Sequence, residues 1–130
     1  MRNRFLALAI LLIAPTLFAA VPKTVNLWPD VAPGDKGDMK EESDTSKPNE
    51  GLVAGRSVIR LGNVSKPSIT IMKAPAEKDT GATVVIFPGG AYRILVWDLE
   101  GTEVAEWLNR NGVNAVIVKY RVPAREGAVR

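Results

Sequence analysis

Two nearly continuous apolar runs in the second half of the chain restrict its fold more than any other feature. TVVIF (83–87) and VNAVIV (113–118) are rich in β-branched residues and show little alternation of polar and apolar positions. Such runs are typical of strands that are covered on both faces, which occur mainly in parallel sheets. The sequence therefore predicts a parallel pair of strands that needs a long crossover connection.

The segment between these runs predicts that connection as one amphipathic helix. The positions that recur at helical spacing are Val104, Trp107, Leu108 and Asn111, with Ala105 beside them. Acidic residues occupy the start of this helix, and they are Asp98, Glu100 and Glu103. Arg110 and the Asn111-Gly112 pair come where it ends, as the helix dipole and the usual glycine stop require. We predict one strand–helix–strand unit over 83–120 with a right-handed crossover.

Two shorter β candidates precede this unit. SVIRL (57–61) and SITIM (68–72) are separated by GNVSKP, which contains turn-forming residues. In SITIM, Ile69 and Ile71 alternate with polar residues, which predicts a strand with one face in water. We expect the two strands to pair as a hairpin at the edge of the sheet. The predicted fold class is α/β, with an N-terminal hairpin followed by the parallel unit.

The first twenty residues have the layout of a secretory signal peptide. Two arginines precede an apolar run, which is followed by a proline and two final alanines. The run is shorter than the roughly 20 apolar residues that span a bilayer. We predict a signal peptide at 1–20 and export to the periplasm or the extracellular space, with an uncleaved membrane anchor as the alternative. An irregular N-terminal arm and loop at 21–56 and a domain at 57–130 are expected to follow.

The expected arm mixes prolines, glycines and charges with little apolar periodicity. The acidic residues of the arm are Asp35, Asp38, Glu41, Glu42 and Asp44. They lack the alternating spacing of the ligands in a calcium loop, which favours a solvated loop. We expect three apolar residues to pin the arm to the body of the domain: Leu27, Trp28 and Val31.

Composition excludes several kinds of partner. The 130 residues carry 17 basic and 14 acidic side chains, and two of the arginines lie in the predicted signal peptide. No basic stripe with interleaved aromatics is present, so we expect no nucleic-acid partner, and no membrane contact beyond the export signal. The chain has no cysteine and neither a dinucleotide nor a P-loop motif, so we expect no disulfide and no cofactor or metal.

Pro88, Gly89 and Gly90 follow the first apolar run directly. The turn after such a strand lies at the carboxyl end of the sheet, where open α/β folds bind ligands. Proline ends the ladder, and two glycines expose backbone N–H groups without side-chain cover. Those groups suit a negative oxygen, either of a phosphate or of the oxyanion in acyl transfer. A plain tight turn is the alternative.

VVIFPGGAYRILVWDLEGTEVAEWL, followed by NGVNAVIVKYRVP, resembles the N-terminal part of the α/β-hydrolase superfamily. The likeness is to its esterase/lipase branch, especially exported acetyl-xylan-esterase-like enzymes, and NLWPDVAPG resembles their N-terminal arm. It covers 27–34 and about 57–123. The resemblance implies a partial α/β-hydrolase fold with an incomplete sheet, truncated before the nucleophile elbow.

The resemblance also implies roles for single residues. The oxyanion donors would be the N–H groups of Gly90 and Ala91, with Gly89 shaping the turn, and Ala91 stands where the family usually has glycine. Tyr92 would flank the acyl pocket or cover the turn. Trp97 is expected in the core. Asp98 and Glu100 would have structural roles at the helix start.

The catalytic triad that the family uses is missing from these residues. The chain contains no histidine, and its nearest match to the Gly-x-Ser-x-Gly elbow, at 55–59, fails at the last position. We therefore expect an N-terminal fragment of an exported serine carboxylic-ester hydrolase that acts on a small-molecule or carbohydrate ester and is inactive alone. A small exported binding module that holds an acid or a sugar at the Gly-Gly turn, and a degenerate partner of a full-length hydrolase, are the alternatives.

Overall fold

The computed structural model describes residues 21–37, 39–49 and 51–123. The predicted signal peptide and Asp38 lie outside them. In chain order the elements are β1 (Lys23–Asn26), β2 (Ser43–Asp44), β3 (Arg60–Gly62), β4 (Ser68–Met72), β5 (Thr83–Ile86), β6 (Leu95–Val96), a π-helical turn (Asp98–Thr102), α1 (Glu103–Arg110) and β7 (Asn114–Lys119).

The larger sheet has four strands in the order β1-β4-β7-β5. β5 and β7 pair in parallel, with Thr83 opposite Asn114 and Ile86 opposite Ile117. This confirms the predicted strand–helix–strand unit. The strand predicted from SITIM is also confirmed as β4, which pairs antiparallel with both β1 and β7. The sheet is therefore mixed, with parallel and antiparallel neighbours.

The predicted hairpin is wrong. β3 lies in a second, three-stranded sheet of order β2-β3-β6, and it does not pair with β4. Both edges of β4 are already occupied by β1 and β7. The GNVSKP segment instead carries the chain from one sheet to the other, and its Val64 is buried against Leu95 and Val122 in a small apolar cluster. Turn-forming residues thus marked a connection correctly but did not specify which strands it joins.

The segment at 21–56 is not irregular throughout. β1 forms an edge of the larger sheet, and the Thr24 and Thr70 hydroxyl groups lie 3.0 Å apart across it. None of the residues expected to pin this segment is fully buried: Leu27 is 43% exposed, Trp28 38% and Val31 69%. Backbone pairing and the buried Ala32 hold the segment instead, and Leu27 N–H donates to the Pro67 carbonyl oxygen over 3.0 Å.

The main core lies between the larger sheet and α1. Its buried members are Ile86, Ala105, Ala115 and Ile117, with Met72, Trp97 and Leu108 packed against them. Trp97 therefore packs on the core as expected. The second cluster, around Val64, Leu95 and Val122, adds Leu61 and Tyr120.

Only some of the residues that recur at helical spacing face the core. Val104 and Trp107 are 38% and 58% exposed, whereas Ala105 is fully buried and Leu108 packs on the core. Small residues face the sheet because the helix approaches it closely, and a side chain at Gly101 would contact Pro88 and Ile117. No helix within the described ranges is long and apolar enough to cross a membrane.

β5 forms the outer edge of the larger sheet, and its side chains are more exposed to solvent than predicted. Val84 and Val85 are 41% and 53% exposed, whereas β7 is mostly buried. The expectation that both strands are covered on both faces holds only for β7, because β5 has no strand on its outer side among the residues described. Phe87, at the end of β5, is 65% exposed.

Candidate functional site

The Pro-Gly-Gly turn begins at the carboxyl end of β5. Ile86 pairs with Ile117 in the parallel ladder, so the chain leaves the sheet beside the last residues of β7. Pro88 is fully buried. The turn therefore starts from a fixed point in the core.

Three successive residues of the turn have positive φ angles: Gly90 at +144°, Ala91 at +53° and Tyr92 at +57°. Glycine adopts such angles readily, but a residue with a Cβ is destabilised by about 1–2 kcal/mol in the left-handed region. Strain of this kind persists where surrounding contacts fix the backbone, and it is concentrated at functional sites. The two non-glycine residues thus mark the turn as an unusual part of the chain.

Backbone hydrogen bonds close the turn. The Gly90 carbonyl oxygen accepts from the N–H groups of Arg93 and Ile94 over 3.0 and 3.3 Å, and the Gly89 carbonyl oxygen accepts from Val96 over 2.8 Å. A Cβ at Gly90 would overlap the Ile94 carbonyl group. Gly90 is therefore required both by its φ angle and by the lack of space.

The three N–H groups of the turn differ in their partners. The Gly89 N–H donates to a carboxylate oxygen of Glu100 over 2.8 Å. The N–H groups of Gly90 and Ala91 have no acceptor among the described residues. The two backbone donors expected from the sequence are thus available, and their binding to an oxyanion stays a prediction. Glu100, which was expected to support the helix start, makes its hydrogen bond with the turn instead.

Tyr120 holds the turn from the β7 side. Its hydroxyl donates to the Pro88 carbonyl oxygen over 2.7 Å, and its ring lies 6.1 Å from that of Phe87 between centroids. Burial raises the pKa of the Tyr120 hydroxyl, and the negative charges that Tyr92 and Glu100 can carry raise it further. The hydroxyl therefore keeps its proton and remains a donor at neutral pH.

The neighbours of Tyr120 hold the N-terminal segment. Lys119 pairs with Glu42 over 2.5 Å, and Arg121 pairs with Asp35 over 3.4 Å and donates to the Pro33 carbonyl oxygen over 3.1 Å. The prediction that Asp35 and Glu42 belong to a solvated loop is wrong, because their ion pairs are mostly shielded from water. Lys-Tyr-Arg thus fixes both the turn and the segment at 33–42, a role that no local sequence pattern showed.

Tyr92 and Asp98 are the remaining residues that the sequence analysis singled out near the turn. Tyr92 is 72% exposed, so it does not cover the turn. One Asp98 carboxylate oxygen accepts from the Ile59 and Leu99 N–H groups over 2.9 and 2.8 Å, which is the structural role expected for it. No cluster of three or more metal-binding side chains occurs within the described residues.

Comparison with known proteins finds a partial likeness to an esterase. A stretch of 47 residues, 36% of the chain, is 38% identical to an acetylxylan esterase from Xylanibacter ruminicola. The match spans 10% of the length of that relative. No family model matches the chain, and no solved structure matches it. The likeness supports a relationship to esterases and no closer assignment.

Proposed function

We propose that the chain supplies the oxyanion-binding part of an exported serine carboxylic-ester hydrolase that acts on carbohydrate or other short-acyl esters. The observation that carries this proposal is the pair of N–H groups at Gly90 and Ala91, which have no acceptor among the described residues and lie in a strained turn beside the end of β7. The partial likeness to an acetylxylan esterase supports the ester class of the substrate.

The chemistry of ester hydrolysis explains why such a turn is useful. Attack on the carbonyl carbon moves negative charge onto the carbonyl oxygen, and fixed N–H donors stabilise that charge without reorganising. In known enzymes the loss of one such donor lowers kcat by about 10²–10³. A turn held by Tyr120 on one side and Glu100 on the other keeps its two donors in place before substrate binds.

Glu100 occupies the first N–H group of the turn. Its carboxylate accepts from the Gly89 N–H over 2.8 Å, which leaves the N–H groups of Gly90 and Ala91 as the two donors proposed for an oxyanion.

The nucleophile and the base come from outside these 130 residues in this proposal. The sequence contains no histidine that could act as the base for a serine nucleophile. We therefore expect no turnover of a chromogenic acetate ester by the chain above the rate in buffer. Turnover that survives purification would show that the chain carries its own nucleophile and would contradict the proposal.

Binding of a charged tetrahedral probe tests the proposed turn directly. Methylphosphonate, titrated into the full chain by calorimetry, should bind weakly and saturably and should bind more tightly than planar acetate. Gly90→Ala should abolish this binding because the added Cβ displaces the turn. Gly81→Ala is the matched control, since Gly81 also has a positive φ but lies in an open loop. Equal binding by both variants would contradict the proposal.

A further inference from the structure

The backbone of the Pro-Gly-Gly turn is anchored through its carbonyl groups. The Pro88 carbonyl oxygen accepts from the Tyr120 hydroxyl over 2.7 Å. The carbonyl oxygens of Gly89 and Gly90 accept from backbone N–H groups in the segment 93–96. Because a peptide unit is planar, a fixed carbonyl also fixes the direction of the N–H group in the same unit. These bonds therefore set the directions in which the N–H groups of the turn point.

Side chains bind both ends of the peptide unit between Pro88 and Gly89. Its carbonyl accepts from Tyr120, and its N–H donates to a Glu100 carboxylate oxygen over 2.8 Å. Tyr120 follows β7, whereas Glu100 lies in the π-helical turn Asp98–Thr102, so the two partners belong to separate elements. Rotation of this peptide unit would break both bonds at once. The unit is thus held in one orientation before the chain enters the strained part of the turn.

Gly89 provides the space that the Glu100 carboxylate occupies. Gly89 is not among the glycines with a positive φ angle, so its backbone conformation alone does not require glycine. A Cβ at Gly89 would lie 2.5 Å from Glu100 Oε2, well inside van der Waals contact. At Gly90, by contrast, the added atom would meet the Ile94 backbone. A side chain at residue 89 would therefore displace the carboxylate rather than the main chain.

We propose that Gly89 and Glu100 act together as a positioning pair for the two donors of the turn, and this rests on the oxyanion role proposed for Gly90 and Ala91. Glu100 is a positioning residue rather than a catalytic one, because its carboxylate bonds to the Gly89 N–H and not to the proposed oxyanion. Donors stabilise a developing charge only while they stay aligned with it. The Gly89–Glu100 pair therefore acts on the reaction through the backbone.

Two substitutions of Glu100 separate positioning from charge. Both Glu100→Gln and Glu100→Ala remove a negative charge near the turn, which by itself favours the binding of an anion. Of the two, glutamine keeps an oxygen that can accept from the Gly89 N–H. In calorimetric titration of the full chain with methylphosphonate, Glu100→Ala should bind about tenfold more weakly than Glu100→Gln, the order expected for one lost hydrogen bond. Equal binding by the two variants would show that charge alone matters and would overturn the proposal.

Residual dipolar couplings measure the alignment of the donors without any ligand. The ¹H–¹⁵N couplings of Gly90 and Ala91 should be the same in the native chain and in Glu100→Gln. They should decrease in magnitude in Glu100→Ala, because the peptide units of the turn can then reorient. Couplings in β7 should stay unchanged in every variant, which shows that the sheet is intact. Glu106→Ala is the matched control, since Glu106 is an exposed acid of α1, and it should leave the Gly90 and Ala91 couplings native.

Gly89→Ala tests whether the two residues act as a pair. Its Cβ should displace the Glu100 carboxylate, so it should reduce the Gly90 and Ala91 couplings as Glu100→Ala does. The double variant should show no further loss, since the second substitution removes a contact that the first has already broken. Losses that add in the double variant would contradict a shared action of Gly89 and Glu100.

The outcomes also separate this proposal from the one on the turn. A native chain that does not bind methylphosphonate would contradict the oxyanion role, and the dipolar couplings would still decide whether the Gly89–Glu100 pair fixes the donors. Native couplings of Gly90 and Ala91 in Glu100→Ala would overturn the positioning role, even where methylphosphonate binds.

Discussion

The hydroxyl of Tyr120 donates a hydrogen bond to the carbonyl oxygen of Pro88 over 2.7 Å, and the two residues are 32 positions apart. Tyr120 follows β7, and Pro88 follows β5 with Phe87 between them. The bond therefore joins the ends of the two parallel strands and fixes the first residue of the turn. Pro88 is fully buried, so its carbonyl has little access to water as an alternative donor.

Tyr120→Phe should lower the free energy of unfolding by about 1–2 kcal/mol, because it leaves the Pro88 carbonyl without its donor. Urea denaturation followed by circular dichroism measures the change. Tyr92→Phe is the matched control, since Tyr92 is 72% exposed, and it should alter stability by less than about 0.5 kcal/mol. Equal effects of the two variants would show that the Tyr120 bond does not hold the turn.

The same bond predicts a dependence of stability on alkaline pH. Burial raises the pKa of Tyr120 above its ordinary value of 10.0, so the fold favours the neutral phenol. Its contribution is fully present below pH 10 and is lost as the pH rises through the pKa of the folded state. The difference in unfolding free energy between the native chain and Tyr120→Phe should therefore shrink above pH 10. A difference that stays constant from pH 8 to 11 would contradict the assignment.

Strand pairing along β5 and β7 was predictable because it depends on local composition. Runs of β-branched residues with a helix between them have few alternatives to a parallel pair. The turn residues were predictable for the same reason, since Pro88, Gly89 and Gly90 each restrict the backbone in a known way. SITIM was recognisable as a strand, but its partners were not, because β1 is a polar edge strand without apolar periodicity.

The groups that hold the turn were not predictable from local patterns. Tyr120 reaches Pro88, and Glu42 reaches Lys119, across long separations in sequence that only the folded sheet closes. Helical spacing alone did not identify which residues of α1 face the sheet. Close approach of the helix to the sheet instead requires the small Gly101 and Ala105 there.

Lys119→Met should destabilise the fold by about 1–2 kcal/mol, because it leaves the poorly exposed Glu42 carboxylate without its cation. A double-mutant cycle with Glu42→Gln, followed by urea denaturation, measures the coupling between the two side chains. The exposed Glu106 and Arg110 pair on α1 is the control, with an expected coupling of about 0.3 kcal/mol. A coupling between Glu42 and Lys119 as small as that of the control would show that the pair does not anchor the segment.

Ala91→Gly should stabilise the fold by about 0.5–1 kcal/mol. Glycine removes the strain of a left-handed residue, and this gain exceeds the added entropy of the unfolded chain. Thermal and urea denaturation measure the change. Ala76→Gly, in an exposed loop with an ordinary φ angle, should instead lower stability slightly. A loss of stability in Ala91→Gly would mean that residue 91 is not strained in solution.

The most direct test of the central claim is the response of single backbone amides to methylphosphonate, followed by ¹H–¹⁵N correlation NMR on the full chain. The Gly90 and Ala91 amide signals should shift saturably and together, because their N–H groups have no acceptor among the described residues. The Gly89 signal should move much less, since its N–H already donates to Glu100 over 2.8 Å. Saturable shifts confined to other parts of the chain, or no shift at Gly90 and Ala91, would contradict the account.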